Sequence, residues 1–160
     1  MKVIYTGSFD PVTYGHLDII KRARDTFGEV IVSVLNNPSK KGLFTIEERI
    51  HLLEEVLKDE NNIEIDSFTG LGVDYARNKG CNVFVRGIRT VSDYEMENPL
   101  AMANKEYKYS VETVFLLSSK EYLFVSSSLA KEVAKYGGDL SLFVPKLVED
   151  AMNKKYNNRR

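Results

Sequence analysis

The sequence contains few of the residues that form covalent cross-links or transition-metal sites. Cys81 is its single cysteine among 160 residues, so an intrachain disulfide is excluded. The two histidines and this cysteine show no spacing of the kind that Cys/His metal sites use. Such sparse cysteine usage is typical of a reducing compartment, and we expect a cytoplasmic protein.

The sequence also lacks a strong net charge and a long apolar run. Its 22 basic residues nearly cancel its 23 acidic residues, which leaves a formal net charge of −1. No overall field therefore attracts nucleic acid or a membrane surface. No apolar run approaches the roughly 18 residues that a membrane span needs, and no signal-peptide pattern is present. We expect a soluble protein that binds neither nucleic acid nor membranes.

Two common phosphate-binding motifs are missing. No GxxxxGK[ST] segment occurs, and Gly70-Leu71-Gly72 does not extend to GxGxxG because Tyr75 stands in place of the third glycine. These absences argue against kinase-like or dehydrogenase-like phosphate binding. No serine, cysteine or lysine has a base and an orienting partner at a recognisable spacing, so the sequence does not indicate a covalent intermediate.

Short apolar strands alternate with amphipathic helices as far as residue 118. This alternation predicts repeated βα units and an α/β fold with a parallel sheet. Most of the strands are nearly continuous apolar runs, as expected where helices cover both faces of a sheet. We predict a single domain over residues 1–160 with five strands, at Val3–Tyr5, Val30–Leu35, Ile63–Ser67, Val83–Val85 and Thr113–Leu117.

Capping boxes predict where two of the helices begin. Thr45 with Glu48 has the capping-box spacing at the start of one helix. Ser92 with Glu95 has the same spacing and predicts the start of a helix that Pro99 should kink or interrupt.

The last two helices are predicted from serine, glycine and proline. Ser126 to Ser128 precede an apolar periodicity that Gly137-Gly138 ends. A final helix is predicted to begin at Pro145 and to fray into a polar tail over residues 153–160.

The segment GSFDPVTYGH, residues 7 to 16, carries the most chemistry. It follows the first strand and leads into an amphipathic helix, so it forms a strand-to-helix turn with glycines and an imidazole. Such a turn directs backbone N–H groups and a helix N-terminus at one point, which favours a phosphate. His16 adds a side chain that can donate a hydrogen bond to that phosphate or share a proton with it.

Polar and basic residues follow the other predicted strands as well. Ligands of an open parallel sheet bind beyond the carboxyl ends of its strands, so these residues should meet in one crevice with His16. Together they suit several phosphates. The segments are Pro38-Ser39-Lys40-Lys41, Thr69 to Gly72, Arg86-Gly87-Ile88-Arg89, Ser118-Ser119-Lys120 and Ser126 to Ser128.

Each of these residues also has a purely structural interpretation. His16 could be a helix cap, the lysine pair could be solvated, and the serine triplet is at least an N-cap. Arg86 and Arg89 could pair with acidic neighbours at positions 93, 95 and 97. Their common position at one edge of the sheet favours the phosphate site. His51 falls in a helix far from that edge and is interpreted as structural or exposed.

Four segments resemble motifs of a known family. Thr13-Tyr14-Gly15-His16 resembles the (H/T)xGH signature of the nucleotidyltransferase superfamily, and Val125 to Ser128 with Lys131 resembles its ISSSxxK/R signature. Two further segments follow in matching order, Pro38-Ser39-Lys40-Lys41 and Arg86-Gly87-Ile88-Arg89. Together the four make the chain similar to bacterial phosphopantetheine adenylyltransferases. The resemblance implies a Rossmann-like, doubly wound fold, Mg²⁺ dependence and a homohexamer. It also implies adenylyl transfer from ATP to 4′-phosphopantetheine, giving dephospho-coenzyme A and pyrophosphate.

The resemblance also implies which residues bind each substrate. Three positions depart from the family: Ser8 stands where threonine is more common, Gly72 where a larger apolar residue is usual, and Val125 where the family has isoleucine. The second departure leaves open what packs on the pantetheine arm. The acceptor-binding positions are Ser8, Lys40, Gly72 and Arg86; the ATP-binding positions are Ser8, Phe9, His16, Gly87, Ile88, Arg89, Glu97, Tyr122, Leu123, Phe124, Val125, Ser126, Ser127 and Ser128.

The resemblance suggests catalysis by positioning and charge stabilisation. A phosphomonoester acceptor is largely dianionic at neutral pH and needs no strong base. His16 is then the transition-state stabiliser at the α-phosphate, and Lys40 bridges the donor and acceptor phosphates. Arg89 and the N-terminus of the helix that begins at Ser126 to Ser128 hold the leaving pyrophosphate. Mg²⁺ is bound mainly by phosphate oxygens and by no protein side chain.

Two alternatives stay open at this stage. One is another nucleotidyltransferase of the superfamily, acting on nicotinamide mononucleotide or on an alcohol phosphate. The other is a non-catalytic nucleotide-binding domain.

Overall fold

Five parallel strands form one sheet in the computed structural model, which describes residues 1–39 and 41–157. The strands lie in the order β3-β2-β1-β4-β5. This confirms the predicted α/β, Rossmann-like fold with a five-stranded parallel sheet. The strands are β1 (Lys2–Gly7), β2 (Glu29–Leu35), β3 (Ile63–Phe68), β4 (Val83–Ile88) and β5 (Glu112–Leu117).

Six α-helices connect or follow these strands. None of the helices in the described ranges combines the length and the apolar character that crossing a membrane requires. The helices are α1 (Tyr14–Phe27), α2 (Ile46–Leu57), α3 (Gly72–Asn78), α4 (Val91–Glu106), α5 (Ser127–Lys135) and α6 (Lys146–Asn157), with a short 3₁₀ helix at Lys120–Tyr122.

The helices cover both faces of the sheet, as predicted. Side chains alternate along β1, so that Val3 and Tyr5 pack in a core with α1, α2, α5 and α6. Ile4 points to the opposite face and packs with Val73 of α3 and Phe84 of β4. The helix α4, which lies entirely within the described range 41–157, has no buried residue. Its apolar side chains are therefore largely exposed in this single chain.

The strand order places a ligand crevice between β1 and β4. The chain passes from β1 outward to β2 and β3, then returns to build β4 and β5 on the other side of β1. The loops that leave β1 and β4 therefore run in opposite directions. In open parallel sheets, this reversal forms a crevice at the carboxyl ends of the two central strands.

The structure confirms one of the predicted capping boxes and corrects the other. Thr45 and Glu48 cap α2 reciprocally. The N-cap of α4 is Thr90 rather than Ser92, because the Thr90 hydroxyl accepts the Asp93 N–H at 3.1 Å. Pro99 lies inside α4 and does not interrupt it, since the helix continues to Glu106.

Several element boundaries also differ from the sequence predictions. The helix α6 continues to Asn157, so residues 153–157 are helical rather than frayed, and Tyr156 packs against the core. Residues 158–160 lie outside the described residues. The strand β4 extends to Ile88, so Arg86, Gly87 and Ile88 belong to the strand rather than to the following loop. As predicted, Gly137 follows α5, with a left-handed φ of 74° that glycine adopts readily.

Candidate active site

The turn after β1 is held by the buried ring of Phe9. This residue has a φ of 45°, which is uncommon for a side chain other than glycine. Its ring makes edge contacts with Tyr5 and His16, at centroid distances of 5.4 and 5.0 Å. A Cβ at Gly7 would lie only 3.1 Å from the same ring, so the turn closes over Phe9. Phe9 therefore supports the site from the core.

His16 caps α1 and also faces the crevice. Its Nδ1 accepts the N–H of Thr13 at 3.1 Å, and the Thr13 hydroxyl accepts the His16 N–H at 3.4 Å, which forms a capping box. Because Nδ1 is the acceptor, the proton of the neutral ring sits on Nε2. The cap and the functional interpretation therefore hold together, with one ring nitrogen for each.

The surroundings of His16 keep its ring neutral. Burial lowers the pKa of His16, and the positive charges of Arg89 and Arg86 lower it further, to about 4. At pH 7 the imidazole is therefore a neutral hydrogen-bond donor through Nε2–H. It cannot act as a resident cation.

Arg86 is fixed by two neighbouring segments. Its Nη1 donates to the carbonyl oxygen of Thr6 and, at 3.1 Å, to the Thr6 hydroxyl, while its Nε donates to Glu97 at 2.8 Å. The guanidinium therefore joins the end of β1 to α4. Glu97 neutralises this arginine.

Arg89, directly after β4, links that strand to the start of α5. Its Nε donates to Asp93 at 3.1 Å, and its Nη1 donates to the carbonyl oxygen of Val125 at 3.0 Å. Ser126 then caps α5 by accepting the Leu129 N–H. Both arginines thus pair with acidic neighbours, as the structural interpretation proposed, and both also line the crevice.

Three neighbouring cavities meet at Ser8. The α4 cavity (about 380 Å³) lies between the sheet and α4; Gly72, Phe84 and Leu100 are among its lining residues. The His16 cavity (about 320 Å³) is lined by His16, Arg89 and the serine triplet, among others. The Asp10 cavity (about 610 Å³) lies between residues 36–38 and 41–46 on one side and α5 on the other. Arg86 and Glu97 line both the α4 cavity and the His16 cavity, so one ligand could pass from one to the other.

Most of the predicted site residues line these cavities. Those facing the α4 cavity are Ser8, Gly72, Arg86 and Glu97, and those facing the His16 cavity are Ser8, His16, Arg86, Gly87, Arg89, Glu97, Val125, Ser126, Ser127 and Ser128.

Five predicted residues lie elsewhere. Phe9 and Ile88 are buried behind the crevice. The Tyr122 ring stacks against Tyr14, and Leu123 and Phe124 are about half exposed beside it. These side chains do not line the His16 cavity. Lys40 lies outside the described residues.

Asp10 is a positioning residue that the sequence analysis did not identify. Its carboxylate is 5% exposed and accepts the N–H groups of Leu43 and Phe44, both at 2.9 Å. Lys131 of α5 lies 3.2 Å from the same carboxylate, and Arg49 lies 3.4 Å from it. Burial alone would raise the pKa of Asp10, but these hydrogen bonds and cations outweigh it and lower the pKa. Asp10 therefore joins the first turn, residues 43–44 and α5.

Arg49 completes this junction from the other side. It is 8% exposed, and it donates to the carbonyl oxygens of Phe44 at 3.0 Å and Ser8 at 3.2 Å. A Cβ at Gly42 would lie 1.8 Å from the Arg49 guanidinium, so any side chain there would displace the guanidinium from this junction. The Asp-Pro step within GSFDP and the glycine after the lysine pair were the available signals. Neither specifies a partner without the fold.

Carboxylates that could bind a metal are already engaged. Among residues 1–39 and 41–157, no group of three or more His, Cys, Asp or Glu side chains could hold a metal ion. Near the crevice, Glu97 pairs with Arg86 and Asp93 pairs with Arg89. The groups that face the His16 cavity are mainly donors suited to phosphate oxygens.

Comparisons with known proteins agree with this geometry. Residues 4–133 match the model of the cytidylyltransferase-like family. A phosphopantetheine adenylyltransferase of Alkaliphilus metalliredigens is 53% identical over 156 residues, covering 97% of this chain and 99% of that protein. The chain belongs to the phosphopantetheine adenylyltransferase family.

Two further members of the family are nearly as similar. The phosphopantetheine adenylyltransferase of Caldanaerobacter subterraneus subsp. tengcongensis is 52% identical over 153 residues, covering 96% of both chains. That of Clostridium novyi is 52% identical over 152 residues, covering 94% of both chains. Membership therefore extends over nearly the whole chain and includes each segment that forms the crevice.

The protonation of His16 gives a first test of the site. In a His51→Gln variant, His16 is the remaining histidine, so its ring signals can be followed by NMR without overlap. We expect the ring to titrate with a midpoint near pH 4, because burial and the two arginines disfavour the cation. The free energy of unfolding should fall as the pH drops from 6.5 toward 4, because the unfolded chain, with the ordinary histidine pKa of 6.5, binds this proton at a higher pH than the folded chain does. A midpoint at or above 6.5 would contradict the assignment.

The junction at Asp10 gives a second test. In Asp10→Asn, the amide nitrogen must face a backbone N–H, and Arg49 and Lys131 lose their counter-charge. We expect the free energy of unfolding in urea to fall by about 3 kcal/mol. Asp150→Asn is the matched control, because Asp150 is exposed and its pairing with Lys146 is worth at most about 1 kcal/mol. Equal effects of the two variants would remove the role given to Asp10.

Proposed function

We propose that this chain transfers an adenylyl group from ATP to 4′-phosphopantetheine, giving dephospho-coenzyme A and pyrophosphate. The observation that carries the proposal is the pair of cavities that share Ser8, Arg86 and Glu97. The α4 cavity offers an apolar wall for the uncharged pantetheine arm, and the His16 cavity offers hydrogen-bond donors for a nucleoside triphosphate. Family membership over nearly the full length supports the same reaction.

His16 is the group best placed to stabilise the transferring phosphate. Its Nε2–H is free while Nδ1 is held by Thr13, so the donor is oriented before the substrate arrives. The acceptor phosphate is already nucleophilic, and a neutral imidazole does not compete for its proton. Lys40 remains an expectation from the resemblance, as the bridge between the acceptor and donor phosphates.

The N-terminus of α5 and Arg89 are suited to hold the pyrophosphate as it leaves. The Ser127 hydroxyl donates to the Pro11 carbonyl at 2.8 Å, which fixes the helix start against the first turn. The backbone N–H groups at this helix start carry partial positive charge. A developing pyrophosphate there meets a fixed donor set.

Mg²⁺ is proposed as the cofactor, and ATP phosphate oxygens are proposed as its main ligands. Mg²⁺ bound in this way would neutralise charge on the phosphates. The arginine-paired carboxylates fit this arrangement, because they leave the metal to the nucleotide. Cytoplasmic location is proposed from the cysteine usage and the reaction.

A pyrophosphate-release assay tests the function. The wild type should release pyrophosphate from ATP with 4′-phosphopantetheine, but not with nicotinamide mononucleotide, nor from CTP with glycerol phosphate. His16→Ala should lower turnover by about 10²–10³ and change ATP affinity little, because it removes one donor to the transition state.

Controls separate chemistry from folding in this assay. His16→Gln retains a side-chain acceptor for the capping box, so its Tm should be closer to that of the wild type than the Tm of His16→Ala is, while its turnover stays low. His51→Ala alters an exposed histidine on α2 and should leave turnover unchanged. Near-normal turnover in His16→Ala would refute the role of His16. Release with nicotinamide mononucleotide alone would favour the alternative transferase.

A homohexamer is proposed for the assembly, with α4 in the contacts between copies. The exposed fractions of Val91, Met96 and Met102 on α4 are 75%, 71% and 63%. Large exposed apolar patches of this kind mark interaction surfaces. Leu117 at the end of β5 is exposed as well, at 72%.

Light scattering after size exclusion tests the assembly. We expect a mass about six times the 18.2 kDa of one chain. Met102→Lys should shift the protein toward smaller species, because it places a charge in an apolar interface. Leu142→Lys is the control, since Leu142 is 64% exposed but lies outside α4. A monomeric wild type would reject the proposed hexamer.

A further inference from the structure

The glycine at position 72 is explained by a neighbouring ring. Gly72 opens α3, and its φ lies outside the left-handed region, so its backbone does not require glycine. A Cβ built there would lie 3.2 Å from Cζ and 3.6 Å from Cε2 of Phe84. Apart from the chain neighbours and the backbone of α3 itself, no other atom of the described residues lies within 4 Å of that point. The Phe84 ring thus lies against the place where a side chain would begin.

Phe84 is a fixed part of the sheet. It lies on β4, pairs in register with Ile4 of β1 and Thr113 of β5, and is 5% exposed. It packs with Ile31 and Val73 in the apolar core on this face. Because the strand and its neighbours hold the ring, its position does not depend on a loop.

Phe84 and Gly72 both line the α4 cavity, and neither of them lines the His16 cavity. Arg86 and Glu97 line both the α4 cavity and the His16 cavity, so the two cavities meet there. Phe84, Gly72 and Tyr107 line only the α4 cavity of these two. A phosphate at the junction would therefore leave the rest of the molecule extending toward the Phe84 ring.

We propose that Phe84 replaces the apolar side chain that the family resemblance predicts at position 72, and that Phe84 and Gly72 together set the width of the pocket for the pantetheine arm. This inference rests on the proposed function. The aromatic ring fills the pocket from the sheet, where the larger residue would have filled it from α3. Restoring a side chain at position 72 while the ring remains would overfill the pocket.

The proposal is tested by the steady-state kinetics of variants that exchange side-chain volume between positions 72 and 84. Phe84→Ala removes the wall, and we expect the KM for 4′-phosphopantetheine to rise about tenfold, with the KM for ATP within about twofold of wild type. Gly72→Leu should also raise the acceptor KM, because the leucine meets the ring. In Gly72→Leu/Phe84→Ala, the leucine occupies the vacated space, and the acceptor KM should return to within about threefold of wild type.

Two further variants distinguish the pocket from general stability. Phe84→Leu keeps most of the apolar volume and should raise the acceptor KM by less than Phe84→Ala does. Ile31→Ala creates a comparable defect in the same core without touching the α4 cavity, so it should lower Tm and leave the acceptor KM unchanged.

The outcomes that overturn the proposal are distinct. An active wild type whose Phe84→Ala and Phe84→Leu variants keep a normal acceptor KM rejects this inference alone. Multiplicative effects of the two substitutions in the double variant, with no recovery, also reject it. A wild type that releases no pyrophosphate with 4′-phosphopantetheine rejects the proposed function and this inference with it.

Discussion

One buried carboxylate holds the parts of the site together. Asp10 follows the first strand, yet its oxygens satisfy two backbone N–H groups near residue 43 and face a lysine on α5. These segments are distant in sequence and share no sheet pairing with one another. Without a common acceptor, buried N–H groups and cations would be left unpaired, which is more costly than any single bond is favourable. Ser8, where the three cavities meet, is tied to this junction because its carbonyl oxygen accepts a hydrogen bond from Arg49.

The sequence predicted the layers of the fold well, because apolar periodicity records which face of an element is buried. Strand ends were less predictable, since they depend on partners: β4 continues to Ile88 because that residue pairs with Leu117 of β5. The start of α4 was missed for a similar reason. Thr90 and Ser92 both have side chains that can cap a helix, and only the local backbone decides between them.

The rule that ligands bind beyond the carboxyl ends of parallel strands grouped His16, Arg86, Arg89 and the serine triplet, and these residues line one cavity. It could not identify Asp10, Thr6 or Phe84, whose importance comes from tertiary contacts that only the fold creates. Tyr122 to Phe124 were assigned by resemblance, and their side chains lie beside the crevice rather than along it. Motif position places the backbone near a site but does not fix the direction of a side chain.

The two arginines of the crevice are held in place by carboxylates before any ligand arrives. Each guanidinium has already lost its rotamer freedom during folding, so an incoming phosphate need not pay that ordering entropy again. The resident carboxylates also weaken the local positive field, which limits how tightly an anion can be held. A site built this way combines precise orientation with moderate affinity. Such a balance suits a reaction whose reactants and products are all highly charged, because none of them becomes trapped.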